Sequence, residues 1–227
     1  MTCDLLVISD GRGYLRESIP SLIANADPGW FTKAQVLEDG PRTGYLDEAA
    51  DLLNEWGVPT LPVSAGFRHG GAKMIQAGWW QTLNSHPPAD YVFHLEEDWT
   101  FNGPVPLPGM IEVLTERTTD CANVALRRQP WGAEGPGGYI GDDPESFTEY
   151  SAVVHDDGFL AHRKGFWLNP CVYRREIMEL GWPDNGHEHD FTARCLDAGY
   201  SFAVYGTKDD PPRVTHIGNE RSPSWTW

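Results

Sequence analysis

Three short apolar runs in this chain each end on carboxylates. "CDLLVISDG" leads from Cys3 into Asp10, "AQVLEDG" from Ala34 into Asp39, and "DYVFHLEEDW" from Asp90 into Glu96, Glu97 and Asp98. Runs of this length, bounded by Gly and Asp turn signals, read as buried strands. The segments between them carry helical spacing. Leu15, Ile19, Leu22 and Ile23 recur along "YLRESIPSLIANA", where Pro20 predicts a kink or a boundary. "YLDEAADLLNEWG" is amphipathic and stops at Gly57, and "GGAKMIQAGWWQTLNS" opens on glycines. "PTLPVSA" supplies another short strand between those two helices. Alternating strands and helices predict a mostly parallel sheet covered on both faces. Such sheets bind ligands at the carboxyl ends of their strands, which is where all of these acids fall.

The second half is less regular. "CANVALRRQPW" contains a strand. Gly132 to Gly158 is rich in Gly, Pro and Asp and predicts a long loop or flap. "FWLNPCVYRREIMELGWP" predicts a short strand and then a helix. "GHEHDFTARCLDAGYSFAVYG" predicts a helix from about Asp190 to Ala198, a stop at Gly199 and a strand. The tail "RVTHIGNERSPSWTW" holds a short strand ending at His216.

Bulk properties narrow the function. At 227 residues the chain is within reach of one domain. Its net charge of −16 argues against nucleic-acid binding and against an anionic membrane surface, since both need a basic face. An anionic nucleotide would need a divalent cation or a local Arg/Lys cluster to offset that charge. No apolar run approaches the roughly 18 residues of a membrane span, so no membrane insertion is expected. "MTCDLLVIS" lacks a basic start and reads as a first strand rather than a signal peptide. Cys3, Cys121, Cys171 and Cys195 form no CxxC pair, which predicts buried free thiols and a cytoplasmic setting.

Several residues are candidates for chemistry. If the third run stays extended, Glu96 and Asp98 share one face and Glu97 takes the other. Two carboxylates on one face repel, and a hard cation such as Mg²⁺ or Mn²⁺ relieves that repulsion. In "GHEHDF", Glu188 and Asp190 sit at a helix start. One acid there can serve as a cap, and a second is a candidate general base. The two histidines, His187 and His189, are too close together for the HExxH pattern of a zinc protease. His216 is equally open to a structural and a ligand reading. Arg68 and Lys73 flank glycines at a helix start, a setting that favours phosphate, and Arg12 follows the first strand as a further cation. The tryptophans read mainly as core, with a subset able to stack on a sugar.

In this order, these motifs resemble a GT-A glycosyltransferase of the family 2 type over most of the chain. "LLVISDGRGYLRESIPSLI", with Ser9, Asp10 and Arg12, resembles the strand and helix where the nucleotide base docks. "VLEDG" resembles the second-strand acidic position that contacts uracil or ribose, here Asp39. "HLEEDW" occupies the place of the DXD motif as Glu96-Glu97-Asp98, with Glu in place of the first Asp. "GHEHDFTARCLDAGY" resembles the ED motif with its downstream arginine. Counting back from Arg194 puts Glu188 on the catalytic acid, with Asp190 as its competitor. "VTHIG" resembles the late histidine that completes metal coordination in many members. Compact enzymes of this look also occur in bacteriophages of actinobacteria.

The resemblance implies a single α/β domain over 1–227, a Rossmann-like three-layer α/β/α sandwich. Residues 1–102 would form the nucleotide-sugar half, and 103–227 the acceptor and catalytic half. It implies a metal-dependent, inverting transfer from a nucleoside-diphosphate sugar, foremost a UDP-sugar, to a hydroxyl on a glycan or protein. Asp98 and His216 would hold Mn²⁺ or Mg²⁺. Ser9, Asp10, Arg12, Asp39, Arg68, Lys73, Glu96 and Glu97 would line the donor site. Glu188 would deprotonate the acceptor, and the segment from Gly132 to Gly158 would close over the donor. A nucleotidyltransferase, or a carbohydrate-binding protein that has lost turnover, remains as an alternative.

Overall fold

A computed structural model describes residues 2–117, 120–128, 147–154, 157–184 and 187–218. The first unit is strand β1 (Cys3–Ser9), helix α1 (Leu15–Asn25) and strand β2 (Phe31–Glu38). Helix α2 (Gly44–Glu55), strand β3 (Thr60–Ser64), helix α3 (Gly71–Leu83) and strand β4 (Tyr91–Glu96) follow. Next come β5 (Trp99–Phe101), α4 (Leu107–Glu112) and β6 (Cys121–Ala125). The chain continues through β7 (Thr148–Val154), β8 (Asp157–His162) and β9 (Cys171–Arg174). Helix α5 (Glu188–Asp197), β10 (Ser201–Tyr205) and β11 (Val214–His216) complete the order.

Among the described residues nine strands form one sheet in the order β3-β2-β1-β4-β9-β6-β10-β8-β7. Strands β3, β2, β1 and β4 are mutually parallel. β9 runs antiparallel to both β4 and β6, and β8 runs antiparallel to both β10 and β7. With β6 and β10 parallel to each other, only β8 and β9 oppose the common direction. The sheet is therefore mostly parallel, as the alternating pattern predicts.

Every residue of β1 is buried, because it lies inside the sheet with helices on both faces. Its alternating side chains separate two cores. Leu5 and Val7 pack with Leu15, Ile19 and Leu22 of α1 and Leu46 and Leu53 of α2. Leu6 and Ile8 pack with Met74, Ile75 and Trp79 of α3 and with Phe191 and Cys195 of α5. This is the three-layer α/β/α arrangement. Trp79 anchors the second core. Its Nε1 donates to the Tyr173 hydroxyl at 2.9 Å, and its ring meets Phe191 and Trp182 edge-on at 4.9 and 5.3 Å.

Some local expectations fail for identifiable reasons. Helix α1 runs unbroken through Pro20, whose exposed position leaves the freed carbonyl of the preceding turn to water. β2 begins at Phe31 rather than Ala34. After β9 the expected helix forms as a 3₁₀ helix, Arg175–Leu180, and Gly181 ends it at φ 71°. Helix α5 starts at Glu188, two residues before the expected Asp190. The segment expected to be loop from Gly132 to Gly158 is partly sheet. Residues 148–154 form β7, where Tyr150 stacks on Phe159 of β8 at 4.8 Å. The remainder of that segment, apart from 147, 157 and 158, lies outside the described residues. Among the described residues no helix is long and apolar enough to cross a membrane. All four cysteines are buried and free.

Candidate active site at the carboxyl edge of the sheet

The register of the central strands sets the site. Ile8 of β1 lies opposite Leu37 of β2 and Glu96 of β4, so the three strands end level with one another. Backbone pairing extends one step further, with Asp39 N donating to Ser9 O at 2.7 Å and Glu97 N to Ile8 O at 2.9 Å. Asp10, Asp39 and Glu97 thus emerge side by side, and all are at least 98% buried.

Strict alternation does not continue past Glu96. β4 ends there, and Glu97 and Asp98 form a turn into β5. The turn lets Glu97 and Asp98 face a common partner, contrary to the extended-strand expectation. That partner is Arg12. Its Nε lies 2.6 Å from Asp10 Oδ1 and 3.4 Å from Glu97 Oε1, and its Nη2 lies 3.0 Å from Asp98 Oδ2. Glu97 also accepts from Ser9 Oγ at 2.7 Å and from Asp10 N at 3.1 Å. Burial, followed by the adjacent Asp10 carboxylate, pushes Glu97 up to about 8. Burial would raise Asp98 as well, but His216 and Arg12 together outweigh it and hold this carboxyl below its ordinary value.

His216 arrives on a separate ribbon. β11 pairs antiparallel with β5, matching His216 to Trp99, and the two rings sit 4.7 Å apart. Its Nε2 then lies 3.2 Å from Asp98 Oδ2, and Ile217 N donates to Asp98 O at 2.8 Å. Gly218 completes the close fit. A Cβ there would stand 2.5 Å from Asp98 Oδ2, too near for any side chain.

Glu188 approaches from the first turn of α5. Its Oε1 accepts from Leu168 N at 2.7 Å, while its carbonyl accepts from Thr192 Oγ1, which in turn accepts from Phe166 N. Burial raises Glu188 to about 7, against the opposing pull of the Leu168 N–H and the Arg128 charge. Glu96 is near enough to both Asp98 and Glu188 to feel their charges. Burial, then the charges of Asp98 and Glu188, push its carboxyl well above the usual range. Asp190 is placed differently. It is exposed, and its Oδ2 accepts from His187 N at 3.0 Å as an N-terminal cap.

The remaining predicted residues lie around this centre with other partners. Asp39 accepts from His69 N at 2.6 Å and from Gly70 N at 2.9 Å, which ties down the loop before α3. Arg68 belongs to that loop, and its Cγ would be 3.5 Å from a Cβ on Gly40. Lys73 points elsewhere, its Nζ pairing with Asp184 at 3.1 Å. Sequence reasoning missed two residues. Glu38, fully buried beside Asp39, accepts from Thr43 N and Oγ1 at 2.7 and 2.5 Å and organises the turn into α2. Arg128, just past β6, supplies the charge opposing Glu188. The "VLEDG" and "LRRQ" strand ends were the available signals.

No protein-family model matches this chain, and no curated protein matches it in sequence. Solved structures do match in shape. GalNAc-T7, crystallised with UDP, GalNAc and Mn²⁺, superposes with a TM-score of 0.66 at 14% identity, over 99% of this chain and 45% of its own. Residues 1–349 of S. aureus TarS with UDP-GlcNAc give a TM-score of 0.62 at 13% identity, over 98% of this chain and 62% of TarS. Both are GT-A-type glycosyltransferases. The fold is GT-A. The chain spans roughly half the length of these GT-A structures, between 45% and 62%.

A divalent cation suits part of this site. Two donors on one Mg²⁺ or Mn²⁺ ion, each about 2.1 Å from it, stand roughly 3 Å apart. The 3.2 Å between Asp98 Oδ2 and His216 Nε2 matches that spacing. Among the described residues no group of three or more His, Cys, Asp or Glu side chains encloses an ion. Asp98 and His216 could supply two donors, and ligand oxygens and water commonly fill further positions on Mg²⁺.

Proposed function

We propose that this chain is a metal-dependent, inverting glycosyltransferase. It would move a sugar from a nucleoside-diphosphate donor, foremost a UDP-sugar, to a hydroxyl on a glycan or protein. The observation that carries this reading is the grouping of Asp98, 3.2 Å from His216, with Glu188, raised to about 7, the charges of Asp98 and Glu188 both acting on Glu96 at the end of β4. The UDP and UDP-GlcNAc complexes of the similar structures support the choice of donor.

Asp98 and His216 would hold the cation, which when bound would neutralise charge building on the departing diphosphate. Ser9, Asp10 and Glu97 close the end of β1 around the nucleotide, and Asp39 orders the loop that carries Arg68 towards it. Glu96 borders the donor between the cation site and the base.

Glu188 acts as the base. The Leu168 N–H holds its Oε1, which leaves Oε2 to take the acceptor's proton. The acceptor oxygen then bonds to the anomeric carbon as the bond to the diphosphate breaks on the opposite face, so configuration inverts. A base near 7 is suited to this step at neutral pH. Asp190, already committed to capping His187 N, is the weaker candidate.

The test is UDP release from a panel of UDP-sugars with glycan acceptors and Mn²⁺, with the product anomer read by NMR. Inverted product from wild type, lost in Asp98→Ala and Glu188→Gln, is the expected result. Retained anomeric configuration would remove the single-displacement mechanism.

A further inference from the structure

The cation Arg12 already occupies the oxygen that the proposed metal needs. Asp98 Oδ2 is the atom facing His216 Nε2 at 3.2 Å, and Arg12 Nη2 lies 3.0 Å from that same atom. Nε, on the same edge of the guanidinium, donates to Asp10 Oδ1 at 2.6 Å, and the guanidinium face lies over the Tyr14 ring, with Cζ 5.0 Å from the ring centroid. Three carboxylates, those of Asp10, Glu97 and Asp98, thus share one side-chain cation. Arg12 is also set on a pivot. The residues on either side of it are Gly11 and Gly13, both in the left-handed region at φ 78° and 90°. Side chains rarely adopt that region, so this turn can change conformation where another sequence could not.

We propose that Arg12 is a built-in competitor for the divalent cation. It neutralises the acid cluster in the free protein and must leave Asp98 before metal and donor diphosphate can enter together. This rests on the reading of Asp98 and His216 as metal ligands, and it predicts that metal alone binds weakly. Metal affinity is reduced by the fraction of molecules in which Asp98 is already paired. A hydrogen-bonded ion pair to a partly buried carboxylate holds the paired state by about tenfold or more. Once displaced, the guanidinium stays at the mouth of the site, where the diphosphate offers it new acceptors. The nucleotide therefore helps to pull Arg12 off Asp98, and metal and nucleotide bind cooperatively.

The test is Mn²⁺ binding followed by EPR, without and with UDP, for wild type, Arg12→Gln, Arg12→Lys and Asp98→Asn. Arg12→Gln is expected to bind Mn²⁺ alone about tenfold more tightly than wild type, with the cooperativity between Mn²⁺ and UDP reduced. Arg12→Lys keeps the charge but loses the paired Nε and Nη2 donors that bridge Asp10 and Asp98, and it too should bind more tightly. Unchanged or weaker Mn²⁺ binding by Arg12→Gln, while wild type with UDP binds Mn²⁺ through Asp98, overturns the competitor role and leaves the metal site standing. An Arg12→Lys protein that behaves as wild type while Arg12→Gln binds more tightly reduces the effect to remote charge, and direct occupancy fails. No Mn²⁺ binding by any protein, with or without UDP, overturns both the competitor and the metal site beneath it.

Discussion

Replacing Glu188 by Gln isolates the proton-transfer step. The amide keeps a carbonyl oxygen where Oε1 accepts from Leu168 N at 2.7 Å, so the first turn of α5 retains its anchor. What disappears is the group raised to about 7 by burial. Loss of a positioned general base costs roughly 10²–10⁴ in rate, or about 3–5 kcal/mol of transition-state stabilisation. The wild-type pH profile should report the same group. With a midpoint near 7, kcat/KM at pH 6 falls to about a tenth of its alkaline plateau. UDP release from a UDP-sugar, followed from pH 5.5 to 8.5, measures both effects. Stability provides an independent check of sign. Folding lifts this carboxyl from 4.5 to about 7, so the folded chain holds its proton more tightly than the unfolded one. Stability contributed by the protonated group is full below about 4.5 and is lost as the pH rises through 7. Glu188→Gln should therefore be no less stable than wild type at pH 8. A Gln variant that keeps more than a tenth of wild-type activity refutes the assignment, as does an Asp190→Asn variant that alone reproduces the loss.

Two further substitutions probe the framework of the site. Gly218→Ala places a Cβ 2.5 Å from Asp98 Oδ2, so it should weaken Mn²⁺-dependent UDP binding at least about tenfold by calorimetry while the far-ultraviolet circular dichroism spectrum is unchanged. Trp79→Ala removes the ring shared by Tyr173, Phe191 and Trp182 and should cost about 3–5 kcal/mol in urea unfolding; a loss under 1 kcal/mol would mean that the second core closes without it.

The parallel half of the fold was legible because burial on both faces leaves a plain signature. β1 and β4 are mostly apolar and buried, β1 leading into Asp10 and β4 ending on Glu96. The convergence of Asp10, Glu97 and Asp98 follows from strand ends lying level, a regularity of parallel sheets that needs no knowledge of the ligand. The turn at Glu97 and Asp98 was less visible, because strand alternation carries no signal for where a strand stops. The β7–β8 hairpin was hidden by its neighbourhood. Thr148, Tyr150, Val153 and Val154 favour strand, but the Gly- and Pro-rich residues before them dominate the composition. Long-range pairs were out of reach altogether. Nothing local to Arg128 announces that it opposes Glu188, nor to Lys73 that it pairs with Asp184. The role of Arg194 was visible only as spacing, and its Nη1 in fact donates to the carbonyls of Leu180 and Gly181, bracing the turn that leads into α5.

The central claim is that Asp98 and His216 join a nucleoside diphosphate to this edge of the sheet through a divalent cation. Thermal unfolding with UDP, GDP, dTDP and CDP, each in Mn²⁺ and in EDTA, tests it most directly. At a hundred times its Kd a ligand adds about 2.7 kcal/mol, which for a chain of this size raises Tm by roughly 5–10 °C. Such a rise is expected with UDP and Mn²⁺, absent in EDTA and absent in Asp98→Asn. An equal rise with and without metal, or none with any of the four nucleotides, would contradict it.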